Sequence, residues 1–230
     1  MQVEIWSDII CPWCYIGKRR FEIALANFAQ REDVHVIWRS FELDPGSPPE
    51  YPYTLEEMLA RKYGVSPQQA AAMNTRVTAL AREVGLEYRL NVARPGNTFD
   101  AHRLLHFAAM QQLGDRATER IMHAYFCESL PVGDRVALAR LAPEFGIAEN
   151  EALAMLESEQ YSGKVRADES RAEKLGITGV PFFLFDEKSS VSGAQPVKVF
   201  AEALQQAWSG CHDKSHNVPL MRHKKPQGRG

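Results

Sequence analysis

Cys11-Pro-Trp-Cys14 stands where an alternating segment gives way to a helical one, and few folds place two cysteines at such a junction. Before it, Val3, Ile5 and Ser7 alternate with Glu4 and Trp6 across Met1 to Asp8, which predicts a strand. After it, Phe21, Leu25 and Phe28 recur at spacings of four and three, the period of a helix. Asp33 to Leu43 is rich in β-branched and aromatic residues and reads as a second strand, ended by Asp44-Pro-Gly-Ser-Pro-Pro. The chain therefore opens strand–helix–strand, with the cysteine pair at the helix start.

That position suits sulfur chemistry. The attacking sulfur in disulfide exchange is a thiolate. A helix N-terminus supplies unpaired N–H groups and the positive end of the macrodipole, and both stabilise an anion. Pro12 fits an early helical position, where its missing N–H costs nothing. Cys11 is thus the candidate nucleophile. Cys14, about one helical turn on, is the candidate resolving thiol, with Pro12 and Trp13 between them tuning the pair. Zinc is the rival reading. A structural site usually takes four ligands, and there is no second C-x-x-C. His102 and His106, and His123 and Cys127, have chelating spacing, but nothing in the sequence brings either pair to Cys11, so no metal is expected.

From Thr54 to about Ser158 helix signals dominate. Thr54 with Glu57 has capping-box spacing, and Ser66, Pro67 and Gln69 start another helix that Gly85 ends. Asn97-Thr98 precedes an apolar face of Ala101, Leu104, Leu105 and Ala108. Asp115 and Asp134 are expected to open two more helices, Gly146 to close the second, and Asn150 to open a short one. Ser162 to Leu175 is a further helix ending at Gly176. Ile177 to Phe185 is a turn feeding a strand, Val191 to Gly193 a short strand, and Pro196 to Trp208 a final helix. Removing the helical block leaves βαβ…ββα, the thioredoxin-like order. The expected architecture is α/β, a thioredoxin-like fold with an inserted α-helical domain. The thioredoxin-like part is residues 1–50 plus 162–209, the insert 51–161, and 210–230 a basic, solvated tail.

In that order Thr178-Gly-Val-Pro181 takes on meaning. A proline opening the third strand is a candidate cis-proline, which would bring the Val180 backbone against the cysteine pair, ready to pair with an extended substrate. An ordinary trans proline at a strand edge is the other reading.

Composition restricts partners and place. The 230 residues are 45% apolar and 24% charged, as in a globular protein, with net charge −2. The last twenty residues carry +4, leaving −6 on the body, which argues against nucleic acid as the main partner. No apolar run approaches a membrane span. Met1 to Cys14 lacks the pattern of a secretory signal, so a cytoplasmic protein is expected. Four cysteines do not make a disulfide scaffold. Cys127, in an apolar helical stretch, is expected to be a buried core thiol, and Cys211 an incidental exposed one.

Ser7-Asp8-Ile-Ile-Cys11-Pro-Trp-Cys14-Tyr15-Ile-Gly17 resembles the active-site segment of the DsbA-like thioredoxin superfamily, in particular its FrnE-like branch. Phe41-Glu-Leu-Asp-Pro45, Asn97-Thr98-Phe-Asp-Ala101-His102-Arg103 and Gly179-Val-Pro181-Phe-Phe183 resemble its other landmarks, in order, and the likeness runs from about Val3 to Trp208. The resemblance implies dithiol–disulfide exchange, a cis-proline at Pro181, and Asn97, Thr98 and His102 on the insert face as substrate-side residues. Helix capping is the competing role for Asn97 and Thr98. Trp13 stands where periplasmic DsbA enzymes commonly carry His. Cys11 stands where the related glutathione transferase kappa and 2-hydroxychromene-2-carboxylate isomerase group typically carries Ser.

The expected function is a thiol–disulfide oxidoreductase acting on disulfide- or thiol-containing proteins or small molecules. It would need no tightly bound cofactor, with glutathione as a possible redox partner or substrate. A glutathione-dependent transferase or isomerase of a small aromatic substrate is the alternative. A redox-regulated binding module or chaperone is a third.

Overall fold

The computed structural model describes residues 1–212. The basic tail from Asp213 onward and the side chain of Cys211 lie outside the described residues. Four strands form one mixed sheet in the order β2-β1-β3-β4: β1 (Gln2–Ser7), β2 (His35–Ser40), β3 (Phe182–Phe185) and β4 (Ser189–Ser192). β1 runs parallel to β2 with Ile5 opposite Trp38, and antiparallel to β3 with Ile5 opposite Phe183. The helices are α1 (Pro12–Ala26), α2 (Leu55–Tyr63), α3 (Pro67–Arg82), α4 (Phe99–Met110), α5 (Gly114–Glu128), α6 (Arg135–Leu141), α7 (Glu149–Glu157), α8 (Ser162–Lys174) and α9 (Val197–His212). This is a thioredoxin-like α/β fold with helices inserted between β2 and β3.

Strand periodicity sorts the faces of the sheet. Val3 and Ile5 of β1, with Phe183 and Phe185 of β3, point to α1 and α9 and meet Phe21, Phe200 and Leu204. The Phe183 and Phe200 rings lie 4.6 Å apart, edge to face. Trp6 and Leu184 point the other way, onto Ala172 of α8 and Ile177. Glu4 shares that second face and is fully buried. Burial alone would raise its carboxyl pKa, but ion pairs with Arg171 and Arg39 outweigh it and hold the pKa below the ordinary value.

α1 belongs to two cores. Its C-terminal half gives Phe21 and Ala24 to the sheet, while Cys14, Tyr15 and Ile16 of its first turns enter the apolar core of the helical block, beside Ile121, Tyr125 and Phe126 of α5. The cysteine pair sits in that seam.

Several boundaries differ from expectation. β2 stops at Ser40 rather than Leu43, because the Leu43 N–H donates to Asp8 Oδ2 at 2.7 Å and leaves the ladder. The Thr54 and Ser66 capping boxes are present, and Asp134 Oδ1 accepts from Val136 and Ala137 N–H at the start of α6. Asp115 does not cap: α5 starts at Gly114, and the Asp115 carboxylate accepts from the Trp38 indole N–H at 2.6 Å. Asn150 lies inside α7, which starts at Glu149. β4 comes earlier than expected, because Asp186 and Glu187 both take positive φ and make a tight hairpin turn without glycine. α9 continues past Trp208 to His212, into the expected tail.

Candidate active site

Cys11 is the residue before α1, in extended backbone (φ −83°, ψ 110°), with Pro12 in the first helical turn. Its side chain caps nothing, so the sulfur stays available. The Cys11 N–H donates to Asp8 O at 3.2 Å and the Cys14 N–H to Cys11 O at 3.0 Å, which fixes the turn. Both cysteines are free thiols. They differ in surroundings more than in exposure, Cys11 being 4% and Cys14 1% exposed. Cys11 lines a cavity of about 830 Å³, and Cys14 does not. Burial, then the neighbouring Cys11, pushes the Cys14 thiol well above its ordinary pKa.

The partner across the fold is the turn before β3. The Val180–Pro181 peptide bond is cis, and Cys11 Sγ lies 3.7 Å from the Val180 carbonyl, to which it donates. Gly17 allows this approach: a Cβ there would stand 2.9 Å from Pro181 Cγ. On the other side the Tyr88 hydroxyl donates to the Pro12 carbonyl at 2.8 Å. Tyr88 is stacked on Phe126 at 4.5 Å, and burial pushes its own pKa well up, which keeps the hydroxyl that donates this hydrogen bond protonated.

The 830 Å³ cavity runs from Cys11, Pro12 and Trp13 between the loop after β2 and helices α2 and α3. Leu43, Met58, Val77 and Phe126 give it apolar walls, Tyr51 and Tyr53 aromatic ones, and Arg61, Lys62 and Arg76 cationic ones. Its size falls within the range of about 300–1,000 Å³ usual for small-molecule sites.

The structure does not bring Asn97, Thr98 and His102 to this cavity. Asn97 is occupied in the loop: its side-chain amide donates to Pro45 O and Ser47 O, and its Oδ1 accepts from Phe99 N–H. Thr98 is buried just before α4 and makes no capping bond with its side chain. His102 is buried with Nε2 3.4 Å from Asp8 Oδ1. It lines a second cavity of about 490 Å³, together with Ser7, Ser40, His106 and Asp168. Arg103, in the same segment, is an internal strut that donates to the carbonyls of Met155, Leu156, Ser158 and Gln160. The histidines with chelating spacing face acids: His106 Nε2 is 3.2 Å from Asp168, and His123 Nδ1 is 3.0 Å from Glu128. Among the described residues no group of three or more His, Cys, Asp or Glu is placed to hold a metal ion. Cys127 is half-buried against the helical core, less enclosed than expected, with its thiol pKa raised by burial and then by Glu128.

Sequence reasoning missed Tyr88 and the lining contributed by α2 and α3. Tyr88 carries no local signal, since it sits between helices and reaches Pro12 only through tertiary packing. Tyr51 and Tyr53 stood visibly close together, but nothing tied them to Cys11.

Sheet order, the cysteine pair at the head of α1 and the cis-proline opposite it together describe a thioredoxin-fold redox protein. The chain belongs to the DSBA-like thioredoxin domain family, whose model matches residues 2–205. A probable DsbA oxidoreductase from Streptomyces coelicolor is 44% identical and superposes with a TM-score of 0.87, over 97% of this chain and 94% of that one. The uncharacterised protein YwbO of Bacillus subtilis is 29% identical over 206 residues, covering 89% of this chain and 96% of YwbO. A 2-hydroxychromene-2-carboxylate isomerase shares the fold alone, with 13% identity and a TM-score of 0.66 over 93% of this chain and 99% of that one. Among the described residues no helix is long and apolar enough to cross a membrane.

Proposed function

We propose that the protein is a thiol–disulfide oxidoreductase working through Cys11-Pro-Trp-Cys14. The Cys11 thiolate attacks one sulfur of a substrate disulfide, the other sulfur leaves as a thiolate, and a mixed disulfide forms. Cys14, losing its proton, then attacks Cys11 Sγ and expels the remaining substrate thiolate. The dithiol has given two electrons to the substrate. Run backwards, the same steps oxidise a dithiol. No resident cofactor is needed, and a thiol such as glutathione resets the pair. Val180 and Pro181 offer the substrate a backbone edge beside the sulfur.

The observation that carries this reading is the asymmetry of the pair: Cys11 opens onto a cavity and faces Val180 O at 3.7 Å, while Cys14 is sealed behind it. Shared fold with an isomerase does not decide the reaction, since function rests on the site. Two cysteines one turn apart are the requirement of exchange. The test pairs Cys14→Ser with Cys11→Ser. Cys14→Ser is expected to retain partners as mixed disulfides through Cys11, and Cys11→Ser to retain almost none. The wild type is expected to reduce insulin with a thiol donor and to show no glutathione conjugation of aromatic acceptors. Equal trapping by both variants, or conjugation without insulin reduction, overturns the reading.

A further inference from the structure

In the wall of the cavity beside Cys11, one buried side-chain polar group has no hydrogen-bond partner among the described residues. Asn74 lies on the inner face of α3, is only 8% exposed, and lines the cavity. Its amide Nδ2 makes no hydrogen bond among the described residues. A buried donor left unpaired is costly, and native structures leave few of them. An acceptor oxygen on a bound molecule would relieve that cost, whereas an apolar group would not.

The mouth of the same cavity is cationic. Arg61, Lys62 and Arg76 line it, and none of them makes an ion pair among the described residues. Asp44 is the one acid among the described lining residues, and its carboxylate already accepts from the Tyr51 hydroxyl at 3.2 Å. Arg61 is held over the Tyr53 ring, its guanidinium carbon 4.6 Å from the centroid. This positive rim stands on a chain whose net charge is −2, so the local field opposes the overall one.

From these observations we infer that Asn74, backed by the rim of Arg61, Lys62 and Arg76, selects low-molecular-weight disulfides with an apolar or aromatic body and a carboxylate. The carboxylate meets the rim and accepts from Asn74, the body lies against Tyr53, Met58 and Val77, and the sulfur reaches Cys11. The inference rests on the exchange reading above. In one turnover R–S–S–R becomes two R–S⁻, two protons leave the dithiol for solvent, and Cys11 and Cys14 become joined.

Two aromatic disulfides test it in a single turnover of the fully reduced full-length protein. Dithiobis-nitrobenzoate carries a carboxylate on each ring, and dithiodipyridine carries none. Each second-order rate constant is divided by that of the same protein unfolded in urea, which removes intrinsic reactivity. The wild type is expected to favour the carboxylate disulfide, and added salt to reduce the preference. Asn74→Leu, nearly isosteric and content in an apolar wall, is expected to lower the preference about tenfold, the loss of one hydrogen bond to a charged group. Arg61→Gln with Arg76→Gln is expected to lower it further and to flatten the salt dependence. Equal normalised rates for the two disulfides, or an unchanged preference in Asn74→Leu, overturn the inference and leave the exchange reading standing. Reaction with neither disulfide, although Cys11 and Cys14 titrate as free thiols in urea, overturns both.

Discussion

Glu119 of α5 fastens the helix that carries the cysteine pair. It accepts from the Tyr15 hydroxyl at 2.6 Å and pairs with Lys18 and Arg19, all three on α1. Lys18 is almost completely buried, with Glu22 as its other partner. Burial of Glu119 works against its charge, but Lys18, Tyr15 and Arg19 outweigh it and pull its pKa from 4.5 down to about 2. The Tyr15 pKa rises in turn, through burial first and Glu119 second, as expected for a hydroxyl donating to a carboxylate. A fall of about 2.5 in pKa corresponds to about 3.4 kcal/mol. Because the Glu119 side chain is 36% exposed, solvent screening cuts this to about 1–2 kcal/mol. The sign follows from linkage. A depressed carboxylate stabilises fully above pH 4.5, and the contribution is lost as pH falls toward about 2. Glu119→Gln is therefore expected to cost about 1–2 kcal/mol near pH 7 and progressively less through the acid range. Urea unfolding followed by tryptophan fluorescence, at a series of pH values from neutral downward, measures both proteins. A gap between them that stays constant from neutral pH into acid refutes the electrostatic reasoning.

Gly17→Ala is expected to destabilise the protein and slow exchange at Cys11, because the added methyl group meets Pro181 at 2.9 Å and must displace the Val180 turn; full stability with normal insulin reduction would show that the contact yields freely. Asn97→Ala is expected to lower stability by about 1–3 kcal/mol in urea, since Asn97 bridges Pro45, Ser47 and Phe99, while substrate preference stays unchanged. Brief alkylation of the reduced protein, read by mass spectrometry of peptides, is expected to mark Cys11 before Cys14, which is sealed and whose thiol pKa burial raises. Modification of Cys14 first would reverse the assigned roles.

Much of the scaffold was legible in the chain because the signals are local. Alternation in Val3 to Ser7 reports a strand, though not that both its faces are buried, and the Thr54–Glu57 and Ser66–Gln69 boxes mark helix starts through contacts three residues apart. Strand–helix–strand, helices, helix–strand–strand–helix then leaves few ways to assemble a sheet, and the one found is β2-β1-β3-β4. The cysteine pair needed no tertiary information either, since its spacing and its place before α1 are written within four residues.

Part of what surrounds the sulfur was written in the chain and part was settled by packing. Val180 lies 169 residues from Cys11, yet Thr178-Gly-Val-Pro181 before the third strand announced that contact, whereas Tyr88, 76 residues from Pro12, leaves no trace in local pattern. Asn97 and His102 show the converse. Their segment stood out in the sequence, yet tertiary contacts absorb the Asn97 amide in a loop and turn His102 toward Asp8, away from the cavity of Cys11. Asp115 read as a helix cap until Trp38, 77 residues distant, took its carboxylate. The chain by itself determined which residues form helices and strands and where the Cys11–Cys14 pair falls, because those depend on neighbours a few residues away. The tertiary structure decided which side chains wall the cavity and which are used up in holding it, because a polar group bonds to whatever folding brings within about 3 Å, at any separation along the chain.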